Sequence, residues 1–589
     1  MNRSYKQVWN KKQGRYVVAS EVAKSHRSGS SNSSVISKAI VAILALLTGI
    51  TNAQAVGPND LPTNPVVTSG SAVISQSQNK LIINQATDKL ITNWSTFNIG
   101  GNASVQFVQP SATATALNRV NASDPTYIYG SLSANGKVIL INQNGVLFAN
   151  GARVDVSGII ASTLNFSDAN FLANNFIFEK DGIAAAITNA GELKAFVGGA
   201  VALIAPQVIN AGTISAEGGD IALLAGNKVT LTLNGNRLIK YSIDQGSLDA
   251  MVQNNSVIRA AEGVVILSAK ALDTISKSVV NNTGLIEAKG ITQSGGRIIL
   301  DADGGSAENS GTLDVSSSAA IGGSIRVTGD VVAIKSGSNL LATGDQGGGD
   351  ILVGGSWQNS DSSIRQAITT TIESNANLNA SATSNGDGGK IVAWSDISNV
   401  SSSTLVLGSL NANGGANSGN GGNIETSGHH LDVSGISVST VAPNGSAGNW
   451  LLDPYDITIS SGTSSASVNS TANGINAFEG SGAVSSSVIN NATIATALAT
   501  TNVTIQSSTG LASYAGGVSG CLSKVVSANT STSIQTLSAF TGSQSITLSL
   551  NTSAGRSSTS SSLKSIYICT QSSSITCGPT NTSNATYGS

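Results

Sequence analysis

From about residue 66 onward, apolar and polar residues alternate in short runs. The segment VVTSGSAVISQSQNKLIINQATDKLITNWSTFNIG, which starts at Val66, follows this alternation and is interrupted by Gly, Asn and Asp. A period of two is typical of β-strands with one buried face, and the interrupting residues are typical of turns. No apolar stripe of helical spacing extends over a useful length of this part of the chain. We therefore predict an all-β fold.

Two turn patterns recur after residue 171. One is Asn-x-Gly before an apolar-alternating strand, as in NAGELKA, NAGTISA, NNTGLIEA and NSGTLDV, and the other is Gly-Gly-x-Ile. Each repeat contributes two or three strands and is too short to enclose a core, so successive repeats must stack in register. The Gly-Gly-x-Ile pattern is found at residues 218–221, 295–298, 322–325, 349–351, 388–391 and 421–424.

This stacking predicts a parallel β-helix. Asn and Gly tolerate the left-handed backbone of a sharp corner, and Val, Ile, Leu and Ala at alternate positions fill a narrow interior. Asn side chains at the corners can also stack and hydrogen-bond along the axis. Parallel crossovers are right-handed by default, so we predict a right-handed parallel β-helix. The rival all-β fold, a sandwich or propeller, would need antiparallel hairpins with two-residue turns.

Composition agrees with many short strands and restricts the function. The chain has 65 Gly, 40% hydrophobic residues, 11% charged residues and 4% aromatic residues. Its net charge of −2 creates no strong field, so we expect no nucleic-acid partner. Three cysteines occur, Cys521, Cys569 and Cys577. One pair, Cys569 with Cys577, could form a disulfide in an oxidising compartment, and three unpaired thiols are the alternative.

The N-terminus carries an export signal. Residues 35–50 (VISKAIVAILALLTGI) form an apolar run too short for a confident membrane span. Ala53-Gln54-Ala55 follows as a small-x-small cleavage pattern before Val56. We therefore predict a signal peptide over residues 1–55 and export by the inner-membrane secretion machinery.

The basic region ahead of the apolar run is much longer than that of an ordinary signal peptide. It resembles the extended signal peptide region of large Gram-negative autotransporters and two-partner-secretion exoproteins. The positions that carry this resemblance are Asn2, Tyr5, Val8, Trp9, Asn10 and residues 17–21.

Residues 94–180 contain a distinctive order of motifs, WSTFNIGGNASVQFVQPSATATALNRV and then IYGSLSANGKVILINQNGVLFANGARVDVSG. This order resembles the N-terminal secretion domain of filamentous-haemagglutinin-type two-partner-secretion exoproteins, to which we assign residues 56–180. The resemblance implies that a secretion motif, Asn-Pro-Asn-Gly-Ile in the family, lies in a turn at Asn142, Gln143, Asn144, Gly145 and Val146. Gln in place of Pro frees a backbone angle and restores an N–H, so we expect a less preorganised turn. Val in place of Ile is a mild change.

Two downstream segments, GGNIETSGHHLDVSG from Gly421 and NWLLDPYDITI from Asn449, resemble the high-molecular-weight adhesin branch of this family. We assign residues 181–460 to a β-helical repeat region and residues 461–589 to a Ser/Thr/Asn-rich C-terminal region with the three cysteines. In that branch more chain normally follows the Trp-Leu-Leu-Asp-Pro segment. We therefore expect a short member or part of a longer reading frame.

The resemblance also implies a function. A dedicated outer-membrane transporter would recognise the N-terminal domain, and the chain would fold outside a Gram-negative cell, secreted or held at its surface. There we expect it to act as an adhesin with a receptor that the sequence does not identify. Within the family, the alternatives are a secreted binder of a haem-carrying host protein and the stalk of a toxin-delivery system. From another class, the alternative is a polysaccharide-active β-helix enzyme.

Catalysis on a β-helix needs clustered carboxylates with Arg or Lys on one face of successive coils. The nearest approaches, the Asp pairs at the ends of residues 301–303 and 453–456, are interpreted as solvated turns. His429 and His430 are adjacent, and neighbours in a strand point to opposite faces, so we expect them not to share a metal ion. We predict no enzymatic activity, no cofactor and no metal site.

Overall fold

The computed structural model describes residues 56–292, 295–455 and 487–507. Outside these ranges it describes only the strands at 5–10, 15–20, 457–460, 512–515, 521–524, 534–537, 546–550 and 584–587. Contacts divide the chain into two units, residues 1–53 with 470–476 and residues 54–469 with 477–589. In the first unit, the strands Tyr5–Asn10 and Arg15–Ser20 form an antiparallel pair. All further elements belong to the second unit.

The strands of the second unit stack in three parallel sheets, because each strand pairs with the strands one coil before and one coil after it. Sheet A contains Lys80–Gln85, Ser104–Val108, the first parts of Ser131–Ile141 and Arg153–Ser162, Glu192–Ala195, Thr213–Ala216, Val257–Arg259, Leu285–Glu287, Thr312–Asp314, Asn339–Leu341, Asn377–Asn379, Ser409–Asn411 and Ser437–Ser439. Sheet B contains Lys89–Trp94, Thr115–Val120, the second parts of Ser131–Ile141 and Arg153–Ser162, Ala200–Ala205, Asp220–Ala225, Val264–Lys270, the first parts of Arg297–Asn309 and Ser324–Ile334, Asp350–Val353, Lys390–Trp394, Asn423–Gly428, Asn449–Pro454, Asn502–Ser507 and Ile546–Leu550. Sheet C contains Thr126–Ile128, Val146–Phe148, Ile187–Asn189, Gln207–Asn210, Met251–Asn254, Ser278–Asn282, the second parts of Arg297–Asn309 and Ser324–Ile334, Thr369–Ile372, Ser403–Val406 and His430–Asp432.

The remaining elements lie at the ends of the stack or outside it. Val66–Ser69 and Ala72–Ser77 pair antiparallel with the first strands of sheets B and A. The others are the helices Asp168–Leu172 and Asn491–Ala497, the 3-10 helix Trp357–Asn359, the antiparallel strands Phe176–Glu179, Lys228–Asn234 and Arg237–Gln245, the parallel strands Ile457–Ser460, Ser487–Asn490 and Ala512–Ala515, the antiparallel pair Cys521–Lys524 and Ile534–Leu537, and Asn584–Tyr587, which pairs with Ile546–Leu550.

The interior of the coils is apolar and in register. Val201, Ile221, Val265, Ile298 and Ile325 pair in successive coils of sheet B, and all are fully buried. The isoleucines of the Gly-Gly-x-Ile turns thus belong to one interior stack, as alternation along a strand requires. The predicted parallel β-helix is confirmed, and because the coils pair in parallel, the rival sandwich or propeller is wrong.

The glycine that precedes each of these strands is required by close packing. A Cβ atom on Gly323 would overlap the carbonyl oxygen of Gly296, and a Cβ atom on Gly389 would overlap that of Gly349. Neither Gly323 nor Gly389 has a positive φ. The expected reason, a left-handed corner, is therefore wrong here. The backbones of adjacent coils come so close at this corner that no side chain fits between them.

Five asparagines at one corner of successive coils form a hydrogen-bonded ladder along the axis. They are Asn189, Asn210, Asn254, Asn282 and Asn309. Asn189 Nδ2 donates to Asn210 Oδ1 at 2.8 Å, and the same bond at 2.7 Å joins Asn210 to Asn254, Asn254 to Asn282 and Asn282 to Asn309. All five side chains are fully buried. The expected stacking of corner asparagines is confirmed, and each amide is satisfied within the protein.

Two insertions cover the outer face of sheet B. The first cover, residues 163–179 with 227–245, contains a helix and an antiparallel sheet, and packs Phe166 and Phe178 in one cluster with Ile160 of sheet B. The second cover, residues 354–367, places Trp357 against Val392. Because these insertions shield it from water, the outer face of sheet B is apolar over much of its length.

Candidate functional site

The predicted secretion motif forms a β-turn that leads into a strand of sheet C. Gly145 N–H donates to the carbonyl oxygen of Asn142 at 3.1 Å, and Asn144 N–H donates to Asn142 Oδ1 at 3.0 Å. Neither central residue, Gln143 nor Asn144, has a positive φ, as in a type I turn. Asn at the first position and Gly at the fourth are favoured in such turns. Gly145 has a φ of 118°, and Val146 begins the strand with its side chain buried.

The two asparagine side chains of this turn bind the preceding coil. Asn142, fully buried, donates from Nδ2 to the carbonyl oxygen of Asp124 at 3.1 Å and to Thr126 Oγ1 at 3.0 Å. Asn144 Nδ2 donates to the carbonyl oxygen of Ala122 at 2.8 Å. These bonds fix the segment 122–126, so both amides have a structural role whatever else they contact.

The backbone of the turn is also held by the coil that follows. Ala185 N–H donates to the carbonyl oxygen of Gln143 at 2.9 Å, and Val146 N–H donates to that of Ala186 at 3.4 Å. Gln143 therefore contributes its carbonyl group, which a proline would also supply. The turn forms with Gln at this position, and its role in secretion stays a prediction.

Asp301 and Asp303 do not lie in a turn. They lie in the strand Arg297–Asn309, two residues apart on the outer face of sheet B. Asp301 Oδ1 accepts a hydrogen bond from Thr328 Oγ1 at 2.7 Å, and Asp303 pairs with Arg365 of the second cover. Their interpretation as a solvated turn is wrong, because both residues lie in the part of the strand that pairs with Ser268 and Lys270 of the preceding coil, where they alternate with inward residues.

A buried glutamate that the sequence patterns do not predict lies beneath the second cover. Glu425 is fully buried, and its carboxyl oxygens accept hydrogen bonds from Ser427 Oγ at 2.9 Å and from the Gln358 N–H at 2.9 Å. Burial raises the pKa of Glu425 to about 8. In the local sequence NIETSG this residue has an outward position, which usually means solvent. No local signal shows that an insertion 67 residues earlier covers it.

Asp453 lies one coil further on, in the strand Asn449–Pro454, and is 5% exposed. Burial raises the pKa of Asp453 to about 6. The interpretation of this aspartate as part of a solvated turn is therefore wrong, because a strand of sheet B continues through it. Asp456, its predicted partner, lies outside the described residues.

His429 and His430 lie side by side at the corner between sheets B and C. Their ring centroids are 4.9 Å apart, so the expected orientation toward opposite faces is wrong. The reason is that His429 falls between the strands Asn423–Gly428 and His430–Asp432, where the alternation of a continuous strand does not hold.

Both imidazoles bind backbone carbonyl groups of the preceding coil. His429 Nδ1 lies 2.8 Å from the carbonyl oxygen of Ile397, and His430 Nε2 lies 3.1 Å from that of Val400. His429 also stacks on Tyr455, with ring centroids 4.3 Å apart. These contacts fix the corner. Within the described part of the chain, no three His, Cys, Asp or Glu side chains come together in a way that could hold a metal ion.

Several predicted residues lie outside the described ranges. Ala53 and Ala55 of the predicted cleavage site are outside them, whereas Val56 is the first residue of the range that begins there. Cys569 and Cys577 are also outside, so the cleavage site and the disulfide stay predictions. Among the helices that the structure describes, none combines the length and the hydropathy needed to span a bilayer.

Comparison with known proteins identifies the two N-terminal regions. Residues 1–50 match the family model described as the Extended Signal Peptide of Type V secretion system, and residues 59–315 match the TPS secretion domain. The crystal structure of the HMW1 secretion domain from Haemophilus influenzae is similar, with a TM-score of 0.56 and 30% identity, and the match covers 66% of this chain and 100% of that one.

Two curated relatives, both called Heme/hemopexin-binding protein and both from Haemophilus influenzae, match part of the chain. One is 32% identical over 269 residues, which is 44% of this chain and 29% of the relative. The other is 27% identical over 285 residues, which is 44% of this chain and 30% of the relative. The chain thus spans less than a third of the length of these relatives.

An export signal followed by a parallel β-helix defines an exported β-solenoid protein. With the matches to both N-terminal regions, the chain belongs to the two-partner-secretion exoproteins, the family expected from the sequence. It is therefore a secreted or cell-surface exoprotein of the Gram-negative type. The secretion-domain match continues past residue 180 to residue 315, and the boundary at 180 stays a prediction.

Proposed function

We propose that the coils within residues 59–315 are recognised by a dedicated outer-membrane transporter, and that the exported β-helix acts as an adhesin at the cell surface. The observation that supports this most is the match to the secretion domain, together with the likeness to the whole HMW1 secretion domain. The inner-membrane secretion machinery is the partner proposed for the first export step, since the N-terminus matches an extended signal peptide.

Folding outside the cell is physically compatible with the stack of coils. Each coil pairs in parallel with its neighbours, so a folded coil offers an edge on which the next can form. We propose that the N-terminal coils form first and that the later coils add in order. Such stepwise addition would make a return of the chain through the transporter unfavourable.

We propose the turn at 142–146 as the element that the transporter recognises. Its role is tested by measuring how much protein is exported. The protein is expressed together with a two-partner-secretion transporter, and its amounts in the medium and in the periplasm are compared. Asn144→Ala removes the bond to the carbonyl oxygen of Ala122. Asn150→Ala, at an exposed turn position near the other end of the same strand, is the matched control.

We expect Asn144→Ala to lower the secreted fraction and to raise the periplasmic fraction, with Asn150→Ala unchanged. Because Asn144 also has a structural contact, the thermal midpoint of each purified variant is measured. Lower export at an unchanged midpoint supports recognition of the turn. Undiminished export of Asn144→Ala would remove this residue from the proposed site.

Adhesion predicts that cells without the protein bind poorly to host cells or to an abiotic surface. Restoring the full chain should restore binding, whereas a chain that is not exported should not. Equal binding by the deletion strain would contradict the adhesin role.

We also propose that the chain is not an enzyme, which the membership in a family of exported binding proteins supports. Release of oligosaccharides from a polysaccharide substrate by the purified protein would contradict it.

A second candidate function is binding of a haem-carrying host protein. It is favoured by the two relatives whose names describe haem and hemopexin binding. Immobilised haem-loaded hemopexin is the direct probe. Capture of the purified chain from solution would support this function over adhesion to cells, and absence of capture at micromolar concentrations would count against it.

A further inference from the structure

The hairpin of the first cover runs backward over the coils that precede it. We call this hairpin the strap, and it consists of the strands Lys228–Asn234 and Arg237–Gln245. The strap leaves the stack shortly after the sheet B strand Asp220–Ala225. Its tip, at Asn236, bonds with the carbonyl group of Ala112, which lies 124 positions earlier in the chain. One late segment therefore spans coils that consist of much earlier parts of the sequence.

Polar contacts fasten the tip of the strap to earlier coils. Asn236 Nδ2 donates to the carbonyl oxygen of Ala112 at 3.1 Å and to Ser157 Oγ at 2.9 Å. Lys137 Nζ donates to the carbonyl oxygen of Gly235 at 3.0 Å. The three partners of the tip belong to three consecutive coils, whose sheet B strands pair with one another. The tip therefore connects coils that would otherwise contact only their nearest neighbours.

An ion pair fixes the strap to the coil from which it leaves. The guanidinium of Arg237 donates to both carboxylate oxygens of Asp220, at 2.8 and 2.9 Å, and to the carbonyl oxygen of Gly218 at 2.6 Å. The N–H of Leu238 donates to Asp220 at 2.8 Å. The side chain of Asp220 is 1% exposed and that of Arg237 is 42% exposed. Because a buried carboxylate without its partner is strongly destabilising, the docked strap and this coil hold each other in place.

The strap is not joined to sheet B by a ladder of backbone hydrogen bonds. Within the described residues, its strands pair only with each other and with Phe176–Glu179 of the same cover. Beneath the strap, the strands of sheet B pair with one another in register. Leu231 and Leu238 of the strap form an apolar cluster with Ile160 of this face, and a cavity of about 20 Å³ remains between them. The coils can therefore stack before the strap docks on them.

We propose that the strap is a lock, which docks after the coils beneath it have stacked and then holds them together. Its contacts with the early coils join residues much further apart in sequence than the contacts between successive coils, so they carry a larger loop-closure cost and form later. Contacts that form late act mainly by slowing unfolding. During export, the lock would close once residue 245 has left the transporter. That timing rests on the proposed export route, whereas the lock itself is a property of the folded protein.

The lock is tested on purified full-length protein without a transporter, so its failure and a failure of the export route are separate results. Arg237→Gln removes the ion pair with Asp220 and keeps most of the side-chain length. Arg259→Gln is the matched control, because Arg259 lies on sheet A, is 54% exposed and pairs with Glu287 at 2.6 Å. The measurements are the unfolding and refolding rates in denaturant and the amide hydrogen exchange of each strand.

We expect Arg237→Gln to unfold about tenfold faster and to refold at a rate within about twofold of the unmodified protein, because the strap docks after the rate-limiting stacking of the coils. Hydrogen exchange should quicken in the strap and also in Thr115–Val120 and Ser131–Ile141, which are distant in sequence. Arg259→Gln should change none of these quantities. Slower refolding with an unchanged unfolding rate would show that the strap docks before the coils stack. Faster exchange confined to the strap would show that it holds nothing together, and either result would overturn the proposal.

A second variant keeps the test decisive if Arg237→Gln does not fold. Asn236→Ala removes the bonds of the tip to Ala112 and Ser157 but leaves the ion pair between Arg237 and Asp220 in place. Its circular dichroism should match that of the unmodified protein. We expect hydrogen exchange to quicken about threefold or more in Thr115–Val120, beneath the tip, and to stay unchanged in Asp220–Ala225, where the ion pair remains. Unchanged exchange in Thr115–Val120 would overturn the lock.

Discussion

Gly389 has a hydrogen atom in place of a side chain, and this allows the backbones of two adjacent coils to pack closely. Because a Cβ atom there would overlap the carbonyl oxygen of Gly349, Gly389→Ala must displace one backbone from the other. We expect a loss of about 2–4 kcal/mol in unfolding free energy, the range of a strongly destabilising core change. Gly101→Ala is the control, since its Cβ would have no neighbour within 4 Å and its φ is not positive. Denaturant unfolding of both variants checks this, and equal stability would contradict the packing argument.

The turn at 142–146 permits a second test with one residue. Gln143 lies at the second position of a type I-like turn, where proline is favoured. Its backbone hydrogen bond is accepted by its carbonyl oxygen, which a proline would keep. We expect Gln143→Pro to stabilise the protein by about 0.4–1 kcal/mol through the unfolded chain. Asn144→Pro, at the third position, should destabilise it instead. Thermal midpoints of the two variants decide the matter. A loss of stability in Gln143→Pro would mean that the N–H of Gln143 is needed.

At the scale of elements, the asparagine ladder joins coils that share no covalent contact. Asn254, in its middle, accepts from Asn210 and donates to Asn282, whereas Asn309, at its end, accepts from Asn282 and is followed by Ile334. Asn254→Leu should therefore leave two neighbouring amides unsatisfied and cost about 2–4 kcal/mol. Asn309→Leu should cost less, because one neighbour is affected. Unfolding free energies that rank the other way would contradict a cooperative ladder.

The second cover predicts a dependence of stability on pH. Burial raises the pKa of Glu425 to about 8, so the folded state holds a proton that the unfolded chain releases near pH 4.5. The contribution of this retained proton to the stability of the folded state is complete below pH 4.5 and is lost as pH rises toward 8. Asp453, raised to about 6, acts in the same direction between about pH 4 and 6, while the charge of Lys390 lowers the pKa of Glu425.

Thermal midpoints measured from pH 5 to pH 8.5 test this dependence. We expect the midpoint to fall over this interval and Glu425→Gln to flatten the fall above pH 6, because its amide does not titrate. Glu192→Gln, whose side chain is 48% exposed on sheet A, should keep the slope of the unmodified protein. A midpoint that rises with pH, or a slope unchanged in Glu425→Gln, would contradict a protonated glutamate beneath the cover.

At the scale of the whole chain, the repeats were predictable from sequence and the covers were not. The strands, the interior isoleucines and the asparagine ladder follow from short patterns such as Gly-Gly-x-Ile and Asn-x-Gly, because each unit makes the same contacts with its neighbours. The cover at 354–367 has no repeat, and its effect on Glu425 depends on a contact across 67 residues. His429 was misplaced for a related reason, since strand alternation does not show where a corner begins. The turn at 142–146 was predictable as a shape, because its hydrogen-bonding residues are local.

A stack of like coils also predicts which deletions the protein tolerates. Ile298 pairs with Ile325 in the next coil, so deleting residues 298–324 joins Arg297 to Ile325 and leaves the register of all three sheets intact. We expect this protein to fold with a cooperative melt and to be exported, since each coil depends on its nearest neighbours. Deleting residues 298–311, about half a coil, should instead place strands of one sheet against corners of another. Protease resistance of the two secreted products distinguishes them, and equal resistance would mean that the coils do not depend on register.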